Sequence, residues 1–83
     1  MKYKLNEQVV LSGSGALFNM QTGESFEVND FGKLILEQMQ NDQSLDEIRN
    51  FILTEYEVER ETVEEHLEQF ISYMIRQRLI DQY

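Results

Sequence analysis

The sequence predicts an α+β fold of winged-helix-like type, a three-stranded antiparallel sheet followed by three helices. Three observations carry this. The first thirty or so residues contain all four Gly but one and are β-prone, whereas the rest is rich in Glu, Gln, Leu and Ile. Apolar residues alternate in the first part and recur at helical spacing in the second, with no Pro in either. At 83 residues the chain makes a single domain, 1–83, with room for one thin core, because a chain this short buries only about 60% of its unfolded surface.

The elements follow in order. Val9-Val10-Leu11 is a short β-branched run closed by Ser12-Gly13-Ser14-Gly15, whose permissive backbone supplies a turn. Ala16 to Met20 and Glu24 to Val28 flank Gln21-Thr22-Gly23, and Gly23 can take the positive φ of a tight hairpin. Within the third strand Phe26 and Val28 share one face and Ser25 and Glu27 the other, so one face is buried and one wet. Asn29 or Asp30 can cap a helix beginning at Phe31, which places Phe31, Leu34, Ile35, Gln38 and Met39 on one side. Ser44, with Glu47 three residues on, gives the capping-box pattern of a second helix that runs to about Tyr56. The third helix spans roughly Arg60 to Arg78, with Val63, Leu67, Phe70, Ile71 and Met74 as its apolar stripe. Its acidic residues come early and Arg76 and Arg78 late, as the helix dipole favours.

Composition narrows the function. Seven Lys and Arg against sixteen Asp and Glu leave a net charge of −9, an unfavourable field for DNA or RNA, so no nucleic-acid partner is expected. The acid is concentrated: three Lys against six acids leave −3 over residues 1–43, and four Arg against ten acids leave −6 over residues 44–83. The strand region is therefore the more neutral half, better suited to pairing its backbone with a peptide. With no Cys there is no disulfide or thiolate chemistry, and a cytoplasmic location is expected. No apolar run approaches membrane-spanning length and no signal-peptide pattern opens the chain, so neither a membrane partner nor processing is expected.

An enzyme is not expected, and no catalytic residue, metal ligand or cofactor is assigned. His66 is the only histidine, and its neighbour Glu65 points to a different helix face. Ser12-Gly13-Ser14-Gly15 lacks the Lys that follows a phosphate loop and leads into a strand. No serine lies in the context of an activated nucleophile. A small antiparallel sheet does, however, have a free edge, which is either blocked or used to accept an added strand.

Three stretches together carry a resemblance: Phe18-Asn19-Met20-Gln21-Thr22-Gly23-Glu24-Ser25-Phe26-Glu27-Val28-Asn29 leading into a helix with Ile35; Ser44-Leu45-Asp46-Glu47-Ile48; and Val63-Glu64-Glu65-His66-Leu67 with Phe70 and Leu79-Ile80. Over nearly its whole length the chain resembles the PqqD-like family, the recognition elements of ribosomally made, modified peptides. It departs at Arg78, where members often carry Gly before the closing Leu-Ile. The resemblance implies a non-catalytic peptide chaperone, which binds the leader of a precursor peptide and presents it to a modifying enzyme such as a radical SAM protein. The leader would lie antiparallel beside the third strand, in the cleft between that strand and the third helix.

Carried onto this chain, the peptide-binding residues are Glu24, Ser25, Phe26, Glu27 and Val28 on the strand. On the helix, the wheel puts Ile71 and Ile75 on one flank of the stripe and His66, Tyr73 and Gln77 on the other, and either flank could face the groove. His66, Phe70 and Tyr73 are chosen, because Tyr and His combine an apolar body with a polar tip suited to a half-wet site.

Other readings compete. The edge can be a short strand protected by Glu24 and Glu27 that binds nothing, or it can support a homodimer. The same architecture serves winged-helix regulators that bind protein or DNA. Ser44-Leu45 also resembles the phosphopantetheine site of acyl carrier proteins, but Gln43 stands where those proteins usually have Asp, and a strand-rich first third does not suit a helical bundle.

Overall fold

In the computed structural model, which describes residues 2–83, the three expected strands and three expected helices form in the expected order. The elements are β1 (Tyr3–Leu5), β2 (Val9–Leu11), β3 (Ala16–Asn19), β4 (Ser25–Glu27), α1 (Asp30–Gln40), α2 (Leu45–Glu55), α3 (Arg60–Arg76) and β5 (Ile80–Gln82). The antiparallel sheet β2-β3-β4 is the one the sequence implies; the ribbon β1-β5, which ties the two ends of the chain together, is an addition to it.

The β3–β4 hairpin is built by Asn19. This side chain is buried, and its Oδ1 accepts from the N–H groups of Gln21 and Thr22 at 2.9 and 3.2 Å, while its carbonyl accepts from Gly23 at 2.8 Å. Gly23 takes the positive φ of 79° that closes the turn. Gly15 is required for a different reason: besides a φ of 91°, an added Cβ would lie 2.9 Å from the Val28 carbonyl oxygen, inside the space where Gly15 accepts the Val28 N–H.

Helix starts are specified locally. Asn29, not Asp30, is the N-cap of α1, its side chain accepting from the Gly32 N–H at 2.9 Å. At α2 both halves of the capping box form: Ser44 Oγ accepts from Glu47 N–H, and Glu47 accepts from Ser44 N–H. The Ser44 hydroxyl thus has a structural role that accounts for the Ser-Leu pair.

The helix ends hold a correction. α3 stops at Arg76 rather than Arg78, because Arg78 itself adopts φ 58°. Its N–H bonds back to the Ile75 carbonyl and that of Leu79 to the Met74 carbonyl, the two hydrogen bonds of a Schellman cap. The same cap ends α1, with Asp42 at φ 62°. The cap turns the chain sharply, so Leu79 and Ile80 return into the core and β5 reaches β1.

The core lies between the inner sheet face and the helices. Leu17 from the sheet meets Ile35, Leu36 and Met39 of α1, Ile48 and Ile52 of α2, and Val63, Leu67, Ile71 and Met74 of α3. Leu36 is fully buried although the single-face reading of α1 leaves it out, because α1 packs against both β1 and α2. On the opposite sheet face Val10 pairs across from Phe18, and both are exposed. No helix among the described residues is long and apolar enough to cross a membrane.

Candidate functional site

β4 is an edge strand. It pairs with β3 in the register Ala16↔Glu27, Leu17↔Phe26 and Phe18↔Ser25. The bonds Asn19 N–H to Glu24 carbonyl and Val28 N–H to Gly15 carbonyl turn the backbone groups of Glu24 and Val28 toward β3. By alternation Phe26 also faces β3, while Ser25 and Glu27 present their N–H and carbonyl groups to the free edge. Ser25 and Glu27 side chains are solvated, and Phe26 and Val28 are half-buried beneath the strand.

A cleft separates this edge from α3. The helix packs closely on α2 and β5, and β4 is not among its close neighbours. Phe70 reaches across the gap: a Cβ placed on Gly32 would lie 2.8 Å from Phe70 Cε1 and 3.0 Å from Val28 Cβ. The Phe70 ring therefore lies over the bare backbone of Gly32 and beside Val28, forming the cleft floor where β4 runs into α1. His66, Phe70 and Tyr73 line one depression of about 370 Å³ together with Asn29, Phe31 and Gln69. This flank of α3 lies toward the β4–α1 junction. The other flank, with Ile71 and Ile75, borders a separate depression with Tyr3 and Leu45.

Two further depressions lie along α3 on either side of it. Toward the start of α3 it joins, through Phe31 and His66, an apolar pocket of about 320 Å³ walled by Leu34, Ile52, Tyr56 and Val63. Phe31 and His66 meet edge to face, centroids 6.2 Å apart at 77°, and form the sill between the two. Toward the end of α3 lies a polar depression of about 560 Å³ that reaches the β3–β4 turn at Thr22 and Glu24 and includes Arg76 and Arg78.

Helical spacing puts Phe31 on the core face of α1, yet it is only half-buried and belongs to the rim. Tyr56 and Val58, exposed at 51% and 45%, extend the apolar pocket, and helical periodicity gives them no role. Their signal was their position: large apolar residues in the α2–α3 connection, beyond any helical stripe. Among the described residues no group of three or more His, Asp or Glu is placed to hold a metal ion.

The family model for coenzyme PQQ synthesis protein D (PqqD) matches residues 14–80. The chain belongs to the PqqD family. Two solved structures are similar over nearly the full length of both molecules. One, described as TbiB1 in complex with the TbiA(beta) leader peptide, is 29% identical, with 96% of each chain covered and a TM-score of 0.89. The other, a lasso peptide synthetase B1 complexed with the leader peptide, is 22% identical, covers 99% of this chain and 100% of its own, and has a TM-score of 0.85; it bears on the fold. No curated protein sequence gives a significant match.

Proposed function

We propose that this PqqD-family chain is a non-catalytic, cytoplasmic adaptor that binds the leader of a ribosomally made precursor peptide and presents it to a modifying enzyme. The observation that carries this is the free β4 edge opening onto an aromatic cleft, in a chain whose 29%-identical structural relative is described in complex with a leader peptide. The leader adds as a strand antiparallel to β4. Ser25 and Glu27 supply the ladder hydrogen bonds, and Phe26, Val28, His66, Phe70 and Tyr73 receive its inward side chains. Glu24 borders the exit. The related structures, described with leader peptides, give no support to the homodimer that a free edge allows.

Strand addition needs an outward N–H, so a proline discriminates. Glu27→Pro removes a donor from the free edge and leaves the β3 ladder whole, whereas Phe26→Pro removes a ladder donor. Titration of labelled protein with the leader encoded beside this gene should shift the amides of residues 24–28 and of α3. Glu27→Pro should weaken binding about tenfold or more while the melting temperature stays close to wild type. Shifts confined to other elements, or full affinity in a folded Glu27→Pro variant, would refute strand addition. The neighbouring gene also tells a radical SAM enzyme from lasso peptide machinery as the modifying partner.

A further inference from the structure

The polar depression near the end of α3 is lined by Arg76 and Arg78, and among the described residues neither is in an ion pair. Among the described residues the ion pairs involve Lys2, Arg49 and Arg60, and none involves Arg76 or Arg78. This is unexpected in a chain with sixteen acids to seven bases. The depression they share is otherwise built from neutral groups, with Asn19, Thr22 and Gln77 on its walls and Glu24 as its one carboxylate.

The backbone adds a second, independent observation. Arg78 sits at φ 58° in a cap where glycine has no steric penalty and a β-carbon does. The dipole of α3 accounts for a cation in its last turn, which Arg76 provides, but does not ask for one at the left-handed position beyond it. Retention of strain at a residue whose side chain enters an open depression points to use of that side chain. Arg76 also borders a shallow depression beside Glu65 and Glu68, so Arg78 is the more committed of the pair.

We propose that Arg78, with Arg76, recognises a carboxylate side chain of the bound leader, just beyond the segment paired with β4. This rests on the strand-addition reading. A strand antiparallel to β4 enters at Val28, near the apolar pocket, and leaves at Glu24, beside the arginines. His66 marks the first site and Gln77 the second, eleven positions apart on one helix, or roughly 16 Å along its axis. An extended peptide covers that in about five residues. The recognised leader therefore has a bulky apolar side chain followed, about five residues later, by Asp or Glu. A guanidinium suits this task because it holds a carboxylate with two parallel hydrogen bonds.

The test uses a displayed library of random 15-residue peptides panned against the wild-type chain, Arg76→Gln and Arg78→Gly. Wild type should enrich an apolar residue with an acid about five positions on. Arg78→Gly should keep the apolar preference, lose the acidic one, and melt at a higher temperature than wild type. For one enriched peptide, replacing its acid by the amide should weaken binding to wild type about tenfold and leave binding to Arg78→Gly unchanged. Winners without an acid, an acid enriched equally by Arg78→Gly, or a lower melting temperature for Arg78→Gly would overturn the assignment. Winners that do not shift the amides of Ser25 to Glu27 would instead overturn strand addition itself, whatever their acids.

Discussion

Gly32→Ala is the substitution that most directly examines the floor of the cleft. The added methyl carbon would lie 2.8 Å from Phe70 Cε1, 3.4 Å from Phe70 Cζ and 3.0 Å from Val28 Cβ. Favourable carbon–carbon contact is about 3.5–4.0 Å, so the ring must withdraw by about 0.7 Å or more, and Val28 by about half an ångström. Val28 has little freedom, because its N–H is held by the Gly15 carbonyl at 3.0 Å and its Cβ moves only with the backbone. Overpacking of this kind costs about 1–3 kcal/mol. Alanine recovers up to about 1 kcal/mol of helix propensity, less here because Gly32 lies in the first turn, where the leading N–H groups lack helical partners in any case. The net expectation is a loss of about 1–2 kcal/mol, or roughly 4–16 °C in melting temperature for a domain of this size.

Because the Phe70 ring makes the shortest of these contacts, part of that loss should be non-additive with removal of the ring. Phe70→Ala alone sacrifices a half-buried aromatic; in the Phe70→Ala background only the Val28 contact remains, and Gly32→Ala should cost less than it does in the wild type. Urea unfolding of the four proteins gives the coupling energy, expected at about 1 kcal/mol or more. Leader affinity should fall in Gly32→Ala even where the protein remains fully folded, since the displaced ring occupies the cleft. A neutral or stabilised Gly32→Ala, or a cycle that is additive, would refute the packing of Phe70 over Gly32 and with it the assigned floor.

Arg78→Gly should stabilise the protein by about 0.5–1 kcal/mol in chemical unfolding, the relief of the left-handed β-carbon being partly offset by the greater freedom of glycine in the unfolded chain. Tyr56→Ala, at an exposed wall of the apolar pocket, should weaken leader binding by isothermal titration calorimetry while changing stability by less than about 0.5 kcal/mol. Asp42 accepts from the Tyr83 hydroxyl, and from Lys2 Nζ at 3.2 Å; the Tyr83 bond first and Lys2 second hold its carboxyl below the usual carboxylate range, while Asp42 raises both Tyr83 and Lys2. A depressed carboxyl stabilises above its ordinary value and loses that contribution as pH falls through its folded value; the raised Tyr83 and Lys2 lose theirs as pH rises through their folded values. The melting-temperature gap between wild type and Asp42→Asn should therefore be widest between about pH 5 and 9 and narrow at both extremes, and a gap independent of pH would refute the assignment.

The residues that could be read from sequence are those whose structural role depends on near neighbours. The capping box of Ser44 and Glu47 and the hairpin at Gly23 involve partners a few residues away, and the stripe Val63, Leu67, Ile71 and Met74 follows from spacing within one helix whatever it packs against. The β1-β5 ribbon is the reverse case. Its pairs Tyr3↔Gln82, Lys4↔Asp81 and Leu5↔Ile80 join the two ends of the chain, and neither three-residue strand carries a pattern of its own. The cleft falls between these cases. Helical periodicity identifies Phe31 and Phe70 as apolar positions but not as half-buried ones, since their exposure depends on where β4 ends and on a glycine at position 32 that admits a ring.

That glycine shows how so small a domain can keep a groove at all. A chain of 83 residues has few apolar side chains to spare, and each one given to a rim contributes less to stability than it would in the core. Here Phe26, Val28, Phe31 and Phe70 are half-buried, packed against the core on one side and left available on the other. They lose only part of their burial energy by waiting for a ligand. The β1-β5 ribbon then holds the far end of α3 through Leu79 and Ile80, both buried, directly after the left-handed turn at Arg78. The closing strand therefore fixes the arginine end of the cleft, and Gly32 with Phe70 fixes its middle. Truncation before Leu79 should accordingly loosen the C-terminal half of α3 and reduce leader affinity more than any single substitution at the free edge, as hydrogen exchange and titration on the same sample would measure. Unchanged exchange in residues 70–76 after such truncation would show that the helix end is held without the ribbon.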